Sequence, residues 1–105
     1  MHPELEIRRR LVFHASQTYA RSDAEWHKGL EHAAEMVPDV AGHGYWQIGN
    51  PGSEIRRLYE RRAAALSRFD AARQKLQVAK DRLHERDVAA HPFGPARLTH
   101  HDNLL

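Results

Sequence analysis

The sequence predicts an all-α protein: a helical hairpin or three-helix arrangement built on one long C-terminal helix, dimerising through coiled-coil-like packing. Three observations predict it. Residues 53–91 contain neither Pro nor Gly and are rich in Ala, Arg, Leu, Lys, Gln and Glu, all good helix formers. Within that stretch Ile55, Tyr59, Leu66, Phe69, Leu76 and Leu83 recur at spacings of 3, 4 or 7, with Leu58, Ala65, Ala72 and Ala79 beside them every seven residues. That is the apolar stripe of a helix facing a core or a coiled-coil partner. The N-terminal half also carries helix signals, and a Gly- and Pro-bearing segment separates the two halves.

The first predicted helix covers residues 3–19. Pro3 suits a first helical turn, Glu4 and Glu6 complement the helix dipole, and Leu5, Ile7, Leu11, Val12, Ala15 and Tyr19 form a broad apolar pattern. Arg8, Arg9 and Arg10 point three ways around such a helix and form no single patch. Ser22-Asp23-Ala24-Glu25 matches a capping box, in which the N-cap hydroxyl and the third-position carboxylate satisfy each other's backbone amides. The motif favours a break near residues 20–22 and a second helix over 23–37; the alternative is one continuous helix that contains it. Trp26, Leu30, Ala33, Ala34 and Val37 form its stripe. Pro38 ends it, because the residue before proline avoids helical geometry.

Residues 38–52 read as a loop holding Gly42, Gly44 and Gly49 together with Val40, Tyr45, Trp46 and Ile48. Large apolar groups in a loop usually tuck onto a core, so Tyr45-Trp46 is expected to plug the helix ends. Ser53 then caps the long helix, expected over 53–88, after the turn residues Asn50-Pro51-Gly52. Arg62, Arg73 and Lys80 interrupt its seam. Long cationic side chains bend past a partner readily, and the alternative is pairing with acids that fix register. His91-Pro92-Phe93-Gly94-Pro95 cannot continue a helix, so residues 91–105 are expected to form an extended tail. The single helical domain is therefore expected over 1–90.

At 105 residues the chain can bury only a modest core. A helix as long as the one predicted outruns what so small a domain covers, which points to a second copy along the seam. There is no cysteine, which removes thiolate chemistry and cysteine-rich zinc sites and fits a reducing compartment. No apolar run approaches membrane-span length and the N-terminus does not read as a signal peptide, so a cytoplasmic protein without membrane contact is expected. The Arg- and Ala-rich composition fits a GC-rich bacterial or phage genome. The net charge of +2 conceals a split: residues 1–52 carry five basic and seven acidic residues, residues 53–88 ten and six.

No residue pattern marks an active site. Ser16, Ser22, Ser53 and Ser67 lack a nucleophile-elbow context, and Gly42-His43-Gly44 is no phosphate loop. No cofactor is implied. The favoured expectation is a non-catalytic interaction or assembly protein of adaptor or chaperone type, with a homodimer or another helical protein as partner. Its seam would be Ile55, Leu58, Tyr59, Leu66, Phe69, Leu76 and Leu83. A first alternative is a small nucleic-acid-binding regulator. Arg61, Arg68, Lys75 and Arg82 repeat every seven residues with Arg57 one turn earlier, the line of cations that backbone-directed binding needs. Interspersed acids and the lack of interleaved aromatics count against it. A second alternative rests on nine histidines: His27, Glu31 and His32, or His100, His101 and Asp102, would be metal ligands.

Overall fold

A computed structural model describes residues 2–90. The expected tail over 91–105, and with it His100, His101 and Asp102, lies outside the described residues. The chain forms α1 (Pro3–Met36), a 3₁₀ turn (Val40–Gly42) and α2 (Glu54–Ala90). All regular structure among the described residues is helical.

α1 starts where local chemistry favours it. The His2 Nδ1 accepts the Glu4 amide at 3.3 Å, Pro3 occupies the first turn, and Glu4 and Glu6 lie at the positive end of the dipole. The helix then runs unbroken to Met36. The break expected near residues 20–22 is therefore corrected, and 3–19 and 23–37 are parts of one helix. A capping box acts only where a helix begins, and here its members are used otherwise. Ser22 is buried, while the Asp23 and Glu25 carboxylates reach across to Arg62 and Arg61 of α2. α1 ends before Pro38, with the Val37 amide donating to the Ala33 carbonyl at 2.9 Å.

The same cross-contacts show that the helices pack antiparallel. Rising numbers on α2 meet falling numbers on α1: Arg61 with Glu25, Arg62 with Asp23, and Phe69 stacked on Tyr19 with ring centroids 6.2 Å apart. Both helices present their less exposed positions at alternate steps of three and four residues. One layer of inward positions is large. It runs Leu5, Val12, Tyr19, Trp26 and Ala33 on α1, and Leu83, Leu76, Phe69, Arg62 and Ile55 on α2, each at least half-buried. The other layer is small. It runs Arg8, Ala15, Ser22 and Gly29 against Ala79, Ala72, Ala65 and Leu58.

The small layer sets how closely the helices approach. Ala65 is 2% exposed, and the register sets it level with Ser22. At the loop end the layer changes character, because Leu58 lies over Gly29. A Cβ on Gly29 would stand 2.5 Å from the Leu58 Cδ1. Glycine inside a helix costs about 1 kcal/mol relative to alanine, and the buried Leu58 side chain offsets that locally. With α1 continuous, it runs beside α2 as far as Arg8, which lines a shared groove with Ala79 and Arg82.

The segment between the helices is tied down by polar contacts. The Trp26 indole donates to the Gln47 carbonyl at 2.9 Å and Arg56 Nε donates to the Gly49 carbonyl at 3.1 Å. Ser53 caps α2, its hydroxyl accepting the Arg56 amide at 3.1 Å. Gly49 has φ +84°, and a Cβ there would lie 2.7 Å from the Ser53 hydroxyl, so only glycine fits the turn. Trp46 and Ile48 are half-buried. Tyr45 does not join the expected plug: it adopts a left-handed φ of 61° and its side chain is 85% exposed.

The small layer yields a test. Ala65→Leu inserts volume where the helices are closest and should destabilise by about 1–3 kcal/mol. Ala64→Leu, at the neighbouring exposed position, should change stability by less than about 0.5 kcal/mol. Urea unfolding followed by circular dichroism measures both, and equal midpoints would contradict close approach at this layer.

Candidate interaction surface

The seam residues predicted on α2 lie against α1. Leu58 is buried, and Ile55, Tyr59, Leu66, Phe69, Leu76 and Leu83 are half-buried. None of them is among the large apolar side chains that stand exposed. Those are Ile7, Leu11, Phe13, Met36, Val37, Tyr45 and Val78, most of them on α1 or in the loop. A helix turns about 100° per residue, so Ile7 and Leu11 share one flank of the pair while Phe13 faces the other.

The cations divide into two groups. Those nearest the loop are satisfied within the chain. Arg57 pairs with Glu54 on its own helix, and Arg61 Nη1 lies 3.3 Å from Glu25 Oε1. Arg62 is the most heavily engaged. Its Nε donates to Asp23 Oδ1 at 2.6 Å and its Nη2 to the Tyr19 hydroxyl at 2.9 Å. Its guanidinium also lies over the Trp26 ring, 5.0 Å from the centroid. The Asp23 hydrogen bond outweighs desolvation and raises the Arg62 pKa above its already high ordinary value, so the side chain is charged throughout the accessible pH range. Of the three cations on the predicted seam, this one pairs with an acid across the helices, and the side-chain distances alone exclude bending past the partner. Arg73 lies 3.8 Å from Asp70 and over the Phe69 ring, while Lys80 is exposed.

Towards the open end the pattern changes. Among the described residues, Arg68, Lys75 and Arg82 have neither a hydrogen bond nor an ion pair. They line one side of the groove left between the helices. The first part of this groove encloses about 470 Å³ over a floor of Ala15, Ala65 and Ala72, with Leu11 on its α1 lip. It continues past Val78 and Ala79 to Arg82. Arg8 reaches into both parts from α1. Its Nη2 is 3.9 Å from Glu4 Oε1, while its Nε is buried with no hydrogen-bond partner. An unmet buried donor costs about 1–3 kcal/mol.

Sequence reasoning found Arg68, Lys75 and Arg82 as a stripe but missed Arg8 and the small residues of α1. The signal was present: Arg8, Ala15, Ser22 and Gly29 recur every seven residues without interruption. The histidine readings fare differently. His27 Nε2 lies 3.4 Å from Asp23 Oδ2, on the far carboxylate oxygen from Arg62. His32 lies in a shallow depression beside Gly29 and Leu58. Among the described residues no group of three or more His, Asp or Glu side chains could hold a metal ion, so His27, Glu31 and His32 are not brought together as ligands. No helix among those residues is long and apolar enough to cross a membrane.

Compared with known protein families, characterised proteins and solved structures, the chain matches none.

The two inter-helix ion pairs should differ in weight. Arg62 and Asp23 are held at short range beside aromatic rings, whereas Arg61 and Glu25 are about half exposed. A double-mutant cycle to alanine should give a coupling of about 1–2 kcal/mol for the first pair and about 0.5 kcal/mol or less for the second. Thermal or urea unfolding of the six variants supplies the numbers, and equal couplings would remove Arg62 as the register-setting contact.

Proposed function

We propose that this protein is a small helical interaction or assembly protein, without catalytic activity of its own. In this reading a helical hairpin completes its core with helices of another polypeptide, most simply a second copy. One observation carries it. Among the described residues just Leu30, Leu58, Ala65, Ala79 and Ser22 are buried, and no side chain is fully buried. Ordering a residue's backbone costs about 1–2 kcal/mol, and burial of apolar side chains is the main term that offsets it. Two helices alone make a single layer, and stable domains pack at least two.

A two-fold dimer with a four-helix, coiled-coil-like core supplies the missing layer. The flank bearing Phe13 and Leu66 suits it better than the flank bearing Arg68 and Lys75. Around a two-fold axis each patch meets itself, and the second flank would set cations against the same cations. An adaptor or chaperone-like role follows from such a surface, since exposed apolar groups on a helical scaffold mark interaction sites. Work in the cytoplasm fits the absence of cysteine.

Light scattering on a sizing column should give about twice the chain mass of 12.1 kDa and a dissociation that depends on concentration. Phe13 is 62% exposed, so Phe13→Asp should leave the helix content intact while shifting the protein towards monomer. A stable, compact wild-type monomer at high concentration would overturn self-association.

A further inference from the structure

We infer that the groove between Arg8 and Arg82 is a docking site for an acidic amphipathic helix of another protein. This rests on the reading of the chain as an interaction module, and it concerns the flank opposite the one assigned to self-association. Four features of the groove converge on that occupant.

The floor is made of Ala15, Ala65 and Ala72, so a third helix can bring its backbone close. The lips carry exposed aliphatic side chains, Leu11 at 55% and Val78 at 47%. An amphipathic helix laid into such a groove buries its apolar stripe there. Arg68, Lys75 and Arg82 follow one another every seven residues, or roughly 10 Å along the axis at the helical rise. They meet acids of a bound helix at the same seven-residue spacing. Finally, Arg8 lines both parts of the groove from α1 and adds a further cation to its rim. From Ala65 to Arg82 the groove matches a helix of roughly 18 residues, by the same rise.

Other occupants fit less well. A second copy placed groove to groove sets Arg68, Lys75 and Arg82 against themselves. A nucleic-acid backbone would use the cations but leave Leu11 and Val78 in water. The groove lining also holds no Phe, Tyr or Trp on which a base could stack.

The test uses the full chain and a fluorescein-labelled synthetic 18-residue helix, with leucines along one stripe and glutamates flanking them every seven residues. Fluorescence polarisation at near-physiological salt is read against two controls: the same peptide with lysine for each glutamate, and a labelled DNA duplex. The Glu peptide should bind at least about tenfold more tightly than the Lys peptide, as expected where charge complementarity sets specificity. The double variant R68E/K75E should lose about tenfold or more, Leu11→Gln should weaken binding, and Lys75→Arg should retain it. Circular dichroism confirms that each variant stays helical. Unchanged peptide affinity in R68E/K75E would overturn the inference, as would steeply salt-dependent duplex binding without peptide binding. Should the Glu peptide fail to bind while the chain still self-associates, the groove assignment falls and the interaction reading stands. Should a monomeric chain bind neither, both fall.

Discussion

The close approach of the two helices depends on a row of side chains too small to keep them apart. Ala15 and Ser22 on α1 lie level with Ala72 and Ala65 on α2, and Gly29 admits Leu58. Everything else about the pair follows from this constraint. Close backbones bring Arg62 within reach of Asp23 and Tyr19 together, and they let Tyr19 stack on Phe69. They also limit how much apolar surface can be buried, because alanine, serine and glycine have little to bury. The pair is therefore tightly spaced and thinly cored, which is why its outer flanks matter more than they would in a thicker domain.

Charge is distributed along the same axis. Near the loop, acids of α1 and of the first turn of α2 meet Arg57, Arg61 and Arg62. Away from the loop, α1 supplies few acids and α2 continues with Arg68, Lys75 and Arg82. The imbalance that composition shows between the two halves of the chain thus becomes a gradient in space. Pairing between the helices is confined to the loop end, and the end where Arg68, Lys75 and Arg82 stand is also where the aliphatic side chains Ile7, Leu11 and Val78 are exposed.

Much of this could be read from the residues. The helical class, the start of α2 at Ser53 and the interhelical segment were legible because Pro, Gly and capping residues act locally. The continuity of α1 was legible only as the less favoured of two readings, because Ser22-Asp23-Ala24-Glu25 satisfies a local rule that tertiary contacts override. Its serine is buried and its acids are held by arginines nearly forty residues away. The inward row of α1 was hidden for a related reason. Hydrophobic periodicity weighs Ile7 and Leu11 heavily and Ser22 and Gly29 hardly at all, whereas packing here selects for small volume. Arg8 escaped notice because a run of three arginines looks uniform until the partner helix picks one of them.

The seven-residue repeat of small residues has a further consequence for how the helices are aligned. Slide α2 by one repeat and alanine again faces alanine or serine, so the repeat alone does not select an alignment. What selects it lies in the loop-side half: the Gly29–Leu58 fit, the Arg62–Asp23 bond, the Tyr19–Phe69 stack, and the ties from Trp26 to Gln47 and from Arg56 to Gly49. The molecule is in effect a clasp, latched at the turn and aligned by dead reckoning towards its tips. Local opening then begins at the end furthest from the latch, where Leu5 and Leu83 meet.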